Sequence, residues 1–369
     1  MSNLQLEYTE EEILMTHDVA QPLVAGGVVC HGGFDAEGNY ISPRTKFRMP
    51  AIDAWQQNHE EVTGKPILSL PLEAFPASYP NVEQGKFLLR NGVREPIITT
   101  LTRIGTVEGF GSLIRYSILP DMQRFFDDSI QGTATAHLDK GLFEAHGRDE
   151  AGWEEEGGHK QMWYAARDVA FENPATVEEI GEMLARMGLP PSGGLPDMDA
   201  IRKQMEAMRK FPNLDFDFEM MVPRMLNVLF VEIQAFRIFD WAEEVLGDTD
   251  LVAGEDAAVK LVRAIREDEK PHVEYLRTSL TEIRDRTVVD EHGKKMPGDD
   301  VVSVLWDFLL DQSLGVRLQQ NRELTLREVA HAMQDRSDKD DLLEEFHVLG
   351  DIRPAADGSF APVAAAATY

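Results

Sequence analysis

Apolar positions before about residue 100 come in short β-prone pieces separated by glycine and proline, as in Ala25-Gly26-Gly27-Val28-Val29-Cys30-His31-Gly32-Gly33. Such punctuation predicts loops, a hairpin and one short helix near 51–63. From Leu101 to Arg286 the spacing turns helical, with long segments near 103–126, 133–146, 150–172, 217–246 and 254–285. An insertion over 173–216 should hold short helices at about 176–187 and 197–210, separated by Gly188-Leu189-Pro190-Pro191-Ser192-Gly193-Gly194. A charged break from Val289 to Lys295 precedes three more short helices, and the Ala-, Pro- and Gly-rich tail from Arg353 reads as disordered at its end. The expected organisation is an irregular N-terminal segment (1–100) packed on a helical core (101–286), followed by a C-terminal helical extension and flexible tail (287–369).

Chemistry enters through Glu-x-x-His, because carboxylate and imidazole three residues apart share one helix face and can hold one metal ion. Four matches occur: Glu156/His159, Glu269/His272, Glu328/His331 and Glu344/His347. Helical phase separates them, since a buried metal site needs its ligands on the apolar stripe. Glu269 and His272 line up with Ala258, Val262, Ile265, Leu276 and Ile283, and Glu156 and His159 with Trp153, Trp163, Ala166 and Ala170. Both pairs are expected to point inward. Glu328/His331 and Glu344/His347 lie opposite the apolar sides of their helices and read as solvated surface.

Glu232 has Met225, Val228, Leu229, Ala235, Phe236 and Phe239 as its helical neighbours. A carboxylate on that stripe costs several kcal/mol unless it is neutral, paired or bound to metal. Glu108 is the analogous candidate on the first long helix, where Gly111 and Ser112 leave room beside it. Glu144 competes for its role but stands only twelve residues before Glu156. His137 and His146 read as polar-face residues. Pro271, inside Glu-x-x-His, removes one helical hydrogen bond and predicts a kink at the site.

The order Glu108, Glu156-Gly157-Gly158-His159, Glu232, Glu269-Lys270-Pro271-His272 resembles the ferritin-like non-haem di-iron carboxylate proteins over residues 101 to 286. The resemblance implies a mainly α protein built on a ferritin-like four-helix bundle. One Glu on each of two helices and Glu-x-x-His on each of the other two would converge on a dimetal centre. It implies the ligand set Glu108, Glu156, His159, Glu232, Glu269 and His272, holding two iron ions, with manganese or a mixed iron and manganese pair as variants. Trp163 stands near where some members carry a redox-active aromatic, and with Phe236, Phe239 and Ile265 it is the expected apolar pocket wall.

Composition narrows the partners. The 369 residues carry 36 Lys plus Arg against 65 Asp plus Glu, a net charge of −29 that repels phosphate backbones and anionic lipid surfaces. Neither nucleic acid nor membrane is an expected partner. Cys30 is the single cysteine, so no internal disulfide or cysteine-rich metal site can form, which suits a reducing cytoplasm. The expected function is a di-iron oxidoreductase that activates O2 to oxidise a small organic substrate by hydroxylation, desaturation or N-oxygenation. An electron donor is implied but not named, and a homodimer is compatible with the sequence. The alternative is a ferritin-like metal-handling or peroxide-scavenging protein without an organic substrate, although such bundles lack material comparable to this chain's extra segments.

Overall fold

A computed structural model describes residues 4–117, 119, 121–171, 176, 178, 180–182, 198–254, 256–354 and 360–362. Its elements, in order, are α1 (Glu10–Ile13), β1 (Gln21–Ala25), β2 (Val28–Phe34), β3 (Tyr40–Ile41), α2 (Arg48–Thr63), α3 (Val82–Arg90), α4 (Glu95–Gly111), α5 (Phe143–Ala151), α6 (His159–Ala170), α7 (Met198–Ala207), α8 (Phe216–Leu246), α9 (Ala257–Arg284), β4 (Thr287–Val289), β5 (Lys295–Pro297), α10 (Gly298–Leu310), α11 (Leu318–Ala332), α12 (Lys339–Val348), β6 (Ile352–Pro354) and β7 (Phe360–Pro362). The protein is mainly helical. Most of the helix expected at 176–187, and the end of the tail, lie outside the described residues.

The two longest helices lie close to their expected ranges. α8 starts where the Asp215 carboxylate accepts from the Asp217 and Phe218 amides, satisfying donors that a helix N-terminus leaves open. α9 packs along α8 and against α6, while α4 packs on α6 and α5. The N-terminal segment is more regular than expected. It forms the antiparallel sheet β1-β2-β3, with Val24 opposite Val29 and Gly33 opposite Ile41, and this sheet lies on α6.

Two apolar cores flank a polar layer. One gathers Phe143 and Ala145 of α5, residues of α8 up to Ile233 and residues of α9 from Val273 onward. The other gathers Met162 and Trp163 of α6, residues of α8 from Ala235 and residues of α9 up to Ile265. Each large apolar side chain so buried contributes about 1.5–3 kcal/mol. Glu232, and the stretch Asp268 to His272, fall where α8 and α9 pass from one core to the other. The cores offset the cost of holding carboxylates between them.

Three expected segments are corrected, the first being 133–146, where Lys140 and Gly141 leave helical geometry and the α-helix begins only at Phe143. The helix expected over 103–126 ends at Gly111 and passes into a 3-10 turn over Ser112–Tyr116. The segment expected over 150–172 is two helices, α5 and α6, joined by Gly152-Trp153-Glu154-Glu155-Glu156-Gly157-Gly158. Glycine is required at both ends of this excursion. Gly152 has φ +84°, and a Cβ on Gly158 would stand 2.3 Å from the Asp149 carbonyl oxygen. Between them the Trp153 and Glu156 backbones pair with each other, and Gly157 bonds to Val29 and His31 of β2. The break therefore brings the N-terminal sheet to the polar layer.

Candidate metal centre

Four glutamates and three histidines meet between the cores: Glu108 from α4, His146 and Glu150 from α5, His159 from α6, Glu232 from α8, and Glu269 and His272 from α9. All seven are buried. Three overlapping groups among them have donor atoms that all lie within 4.8 Å of one another: His146/Glu150/Glu232/His272, Glu150/His159/Glu269/His272 and Glu108/Glu150/Glu232/Glu269. Gly111 of α4 lies against the Glu150 side chain, where a Cβ would be 3.0 Å from its Cγ, so a small residue is what admits that carboxylate.

The expected ligand Glu156 is not among them. It is exposed in the turn that joins α5 to α6, and Glu150 occupies the inward position instead. On one continuous helix Glu150 and His159, nine residues apart, would face opposite directions. The excursion resets the phase so that both face the centre, with His159 Nδ1 3.2 Å from Glu150 Oε1. Glu144 also lies outside, paired with Arg148 at 2.7 Å. His146 is a second correction, since its Nε2 stands 3.4 Å from Glu232 and 3.7 Å from Glu150. His137 is buried elsewhere, bonded to the Thr133 carbonyl and the Tyr8 amide.

Each imidazole turns one nitrogen to the carboxylates and gives the other to an outer partner. His272 Nδ1 is 2.7 Å from Glu269 Oε2 and its Nε2 bonds to Asp149 at 2.9 Å. His159 Nδ1 is 2.9 Å from Glu269 Oε1 and its Nε2 lies 3.6 Å from Asp268. His146 Nδ1 shares a 3.2 Å hydrogen bond with the Tyr275 hydroxyl. The two Asp-Glu pairs thus work crosswise: Asp149, beside Glu150, steadies His272 of α9, and Asp268, beside Glu269, steadies His159 of α6. Outer carboxylates of this kind fix the tautomer and orientation of metal-binding imidazoles.

The N-terminal segment supports those two aspartates. Arg44 and Arg48 donate to Asp149 at 2.6 and 2.7 Å. His31 Nε2 and the Tyr40 hydroxyl donate to Asp268 at 3.0 and 2.9 Å, while Arg44 donates to His31 Nδ1 at 3.2 Å. Burial alone would raise both aspartates, but the Arg44 and Arg48 charges hold Asp149 well below the usual carboxylate range, and bonds from His159 and His31 hold Asp268 low.

The inner carboxylates behave oppositely. Burial pushes Glu150 and Glu269 well up and Glu108 up to about 7, with the Glu232 charge adding to the rise at Glu269 and Glu108. Burial also favours protonation of Glu232, yet His146 outweighs it and holds Glu232 low, at about 2. Burial and His146 pull His272 down to about 3. His272 thus stands between two carboxyls held in opposite senses, its Nε2 2.9 Å from Asp149 and its Nδ1 2.7 Å from Glu269.

Glu150 Oε2 and Glu232 Oε2 are buried without a hydrogen-bond partner, and His146 Nε2 and Glu269 Oε1 have close neighbours but no aligned hydrogen bond. Buried polar atoms left unsatisfied cost about 1–3 kcal/mol each, more when charged. Oxygen and imidazole nitrogen donors together fit divalent first-row ions. The residues present therefore fit a metal ion.

Of the expected pocket wall, Trp163, Phe239 and Ile265 are fully buried core. Trp163 stacks on Phe239 and donates to Glu108 at 3.1 Å, so it holds that carboxylate. Phe236 is half-buried and packs on Phe239. α9 continues through Pro271. The two outward motifs stay apart from the centre: Glu328 lies 3.5 Å from Arg103, and Glu344 and His331 are exposed. Replacing His331 and His347 by alanine should leave metal content unchanged in elemental analysis and shift stability by roughly 0.5 kcal/mol or less.

Sequence reasoning misses Glu150, His146 and the outer partners Asp149, Asp268, His31, Tyr40, Arg44, Arg48 and Tyr275. One signal points to some of them: Asp149-Glu150 and Asp268-Glu269 are matching acidic pairs, each followed by a histidine, and Gly157-Gly158 between Glu150 and His159 marks a helix break. Cys30 is buried in β2. No helix among the described residues is long and apolar enough to cross a membrane. No family model, curated protein or solved structure matches the chain.

Proposed function

We propose that the chain is a non-haem di-iron oxidoreductase on a ferritin-like four-helix bundle formed by α4, α5 with α6, α8 and α9. In this reading Glu108, Glu150, His159, Glu232, Glu269 and His272 hold two ions, with His146 as a further nitrogen donor. The observation that carries it is the convergence of unsatisfied buried donors whose imidazoles are oriented crosswise by Asp149 and Asp268. When bound, two Fe(II) ions supply electrons for reducing O2 and so oxidise a small organic molecule.

The protein's own contribution is arrangement. Asp149, Asp268 and Tyr275 set the imidazole tautomers, Trp163 orients Glu108, and the segment bearing His31, Tyr40, Arg44 and Arg48 shields this side of the layer from water. Such a closed, nitrogen-rich donor set supports a resident cofactor over ions in transit. Protein loaded anaerobically with Fe(II) should retain about two ions per chain and consume O2 faster with a small aromatic, aliphatic or amine substrate than without. Zero retained metal would end the proposal. Accumulation of a ferric mineral, with no substrate stimulation, would replace it by metal handling.

Loading should depend on pH with a definite sign. Glu150, Glu269 and Glu108 hold protons at mildly acid pH because burial raises them, and an incoming ion displaces those protons. Each displaced proton changes affinity about tenfold per pH unit. Apparent Mn(II) affinity, read by competition with a chelator, should therefore rise at least about tenfold from pH 5.5 to 6.5 and go on rising past the Glu108 value of about 7, because Glu150 and Glu269 are also held well up. A flat profile would mean these carboxyls are not ligands.

A further inference from the structure

A second cavity, of about 410 Å³, lies between α4, α8, α11 and the loop around Tyr79. It is separate from the metal centre: on α8 its wall is Gln234, Arg237, Ile238 and Trp241, about 140° to 240° around the helix from Glu232. Ile104, Val107, Phe110, Ile238 and Leu318 make much of the lining apolar, and Val107 and Phe110 remain 41% and 49% exposed.

Four side chains in this wall carry a buried polar atom with no hydrogen-bond partner: Tyr79 Oη, Arg237 Nε, Trp241 Nε1 and Arg322 Nε. The three nitrogens can only donate, and the tyrosine hydroxyl can donate, so the missing partner is an acceptor. Arg237 and Arg322 form no ion pair among the described residues, although the chain has 65 acidic residues to offer. Burial lowers Arg322 and pushes Tyr79 up to about 12, the Arg322 charge working against the latter rise. Arg103 in the same wall is already paired with Glu328 at 3.5 Å, and Arg237 also donates to the Leu72 carbonyl at 3.2 Å, but two guanidiniums without an acid partner beside a hydrocarbon surface suit a carboxylate that carries an apolar body.

We propose that this cavity binds a small organic carboxylate, its head on Arg237 and Arg322 with Tyr79, and its apolar body along Ile104, Val107, Phe110 and Leu318. The proposal does not rest on the metal centre or its chemistry. Calorimetric titration of the full chain, both metal-loaded and chelator-treated, with hexanoate, decanoate and 3-phenylpropionate tests it, using decanol and inorganic phosphate as comparison probes. At least one carboxylate should bind at one per chain, tenfold or more tighter than decanol or phosphate, and equally with and without metal. Arg237→Gln and Arg322→Gln should each weaken it at least tenfold, while Arg327→Gln on the exposed side of α11 leaves it unchanged. Saturable binding by none of the three acids, equal binding of decanol or phosphate, or loss of binding in Glu232→Ala but not in Arg322→Gln would overturn the proposal. The wild-type comparison of acid and alcohol decides the matter even if an arginine variant fails to fold.

Discussion

Glu150→Ala should reduce the iron retained after anaerobic loading from about two ions per chain to less than one, while Glu156→Ala leaves it unchanged. The contrast is large because Glu150 belongs to all three groups of converging donors that include glutamate, whereas Glu156 is an exposed turn residue. Elemental analysis of the two variants side by side makes the measurement. Glu150→Ala also removes a buried carboxyl with an unsatisfied oxygen, so the metal-free variant should be no less stable than its parent. Metal lost from Glu156→Ala and kept by Glu150→Ala would show that the excursion between α5 and α6 rearranges on loading.

Asp149→Ala should destabilise the protein by about 3–5 kcal/mol in urea unfolding. Asp149 is fully buried, and its loss would leave the Arg44 and Arg48 guanidiniums, 5% and 0% exposed, without their shared acid partner. It would also free His272 Nε2, so metal retention should fall with stability. Asp168→Ala is the comparison: that carboxylate bonds to Arg167 at 2.7 Å but is 41% exposed, and removing it should cost about 1 kcal/mol or less. Similar losses for the two variants would show that the Asp149 cluster is not dry.

Much of the donor set is legible in the amino-acid sequence. Glu232 and Glu269/His272 announce themselves because a charged side chain on an otherwise apolar stripe is expensive, and stripes on long continuous helices can be read by counting. The same count finds His159 and Glu108. Extending it through Gly157-Gly158 leads wrongly to Glu156, because the helix does not continue there. His146 resembles a surface residue because α5 is short and its apolar pattern is interrupted by Gly147, Arg148 and Asp149. Trp163 and Phe239 are apolar as expected, but whether an apolar residue walls an opening or fills a core depends on what packs over it.

By itself, then, the sequence determined the helical period of the chain, most of the inward carboxylates and histidines, and a charge unfavourable to polyanions. These follow from local spacing and composition, which need no partner. Gly157-Gly158 marks a break, but only the tertiary structure decided the course of the chain between α5 and α6, because the excursion is held open by backbone pairing with β2. It alone brought His31, Tyr40, Arg44 and Arg48 to aspartates more than a hundred positions along the chain. It also gathered Tyr79, Arg237 and Arg322 around one cavity. Contacts of that kind carry no periodic signal: they are set by how separately folded helices and strands share the space between two apolar cores.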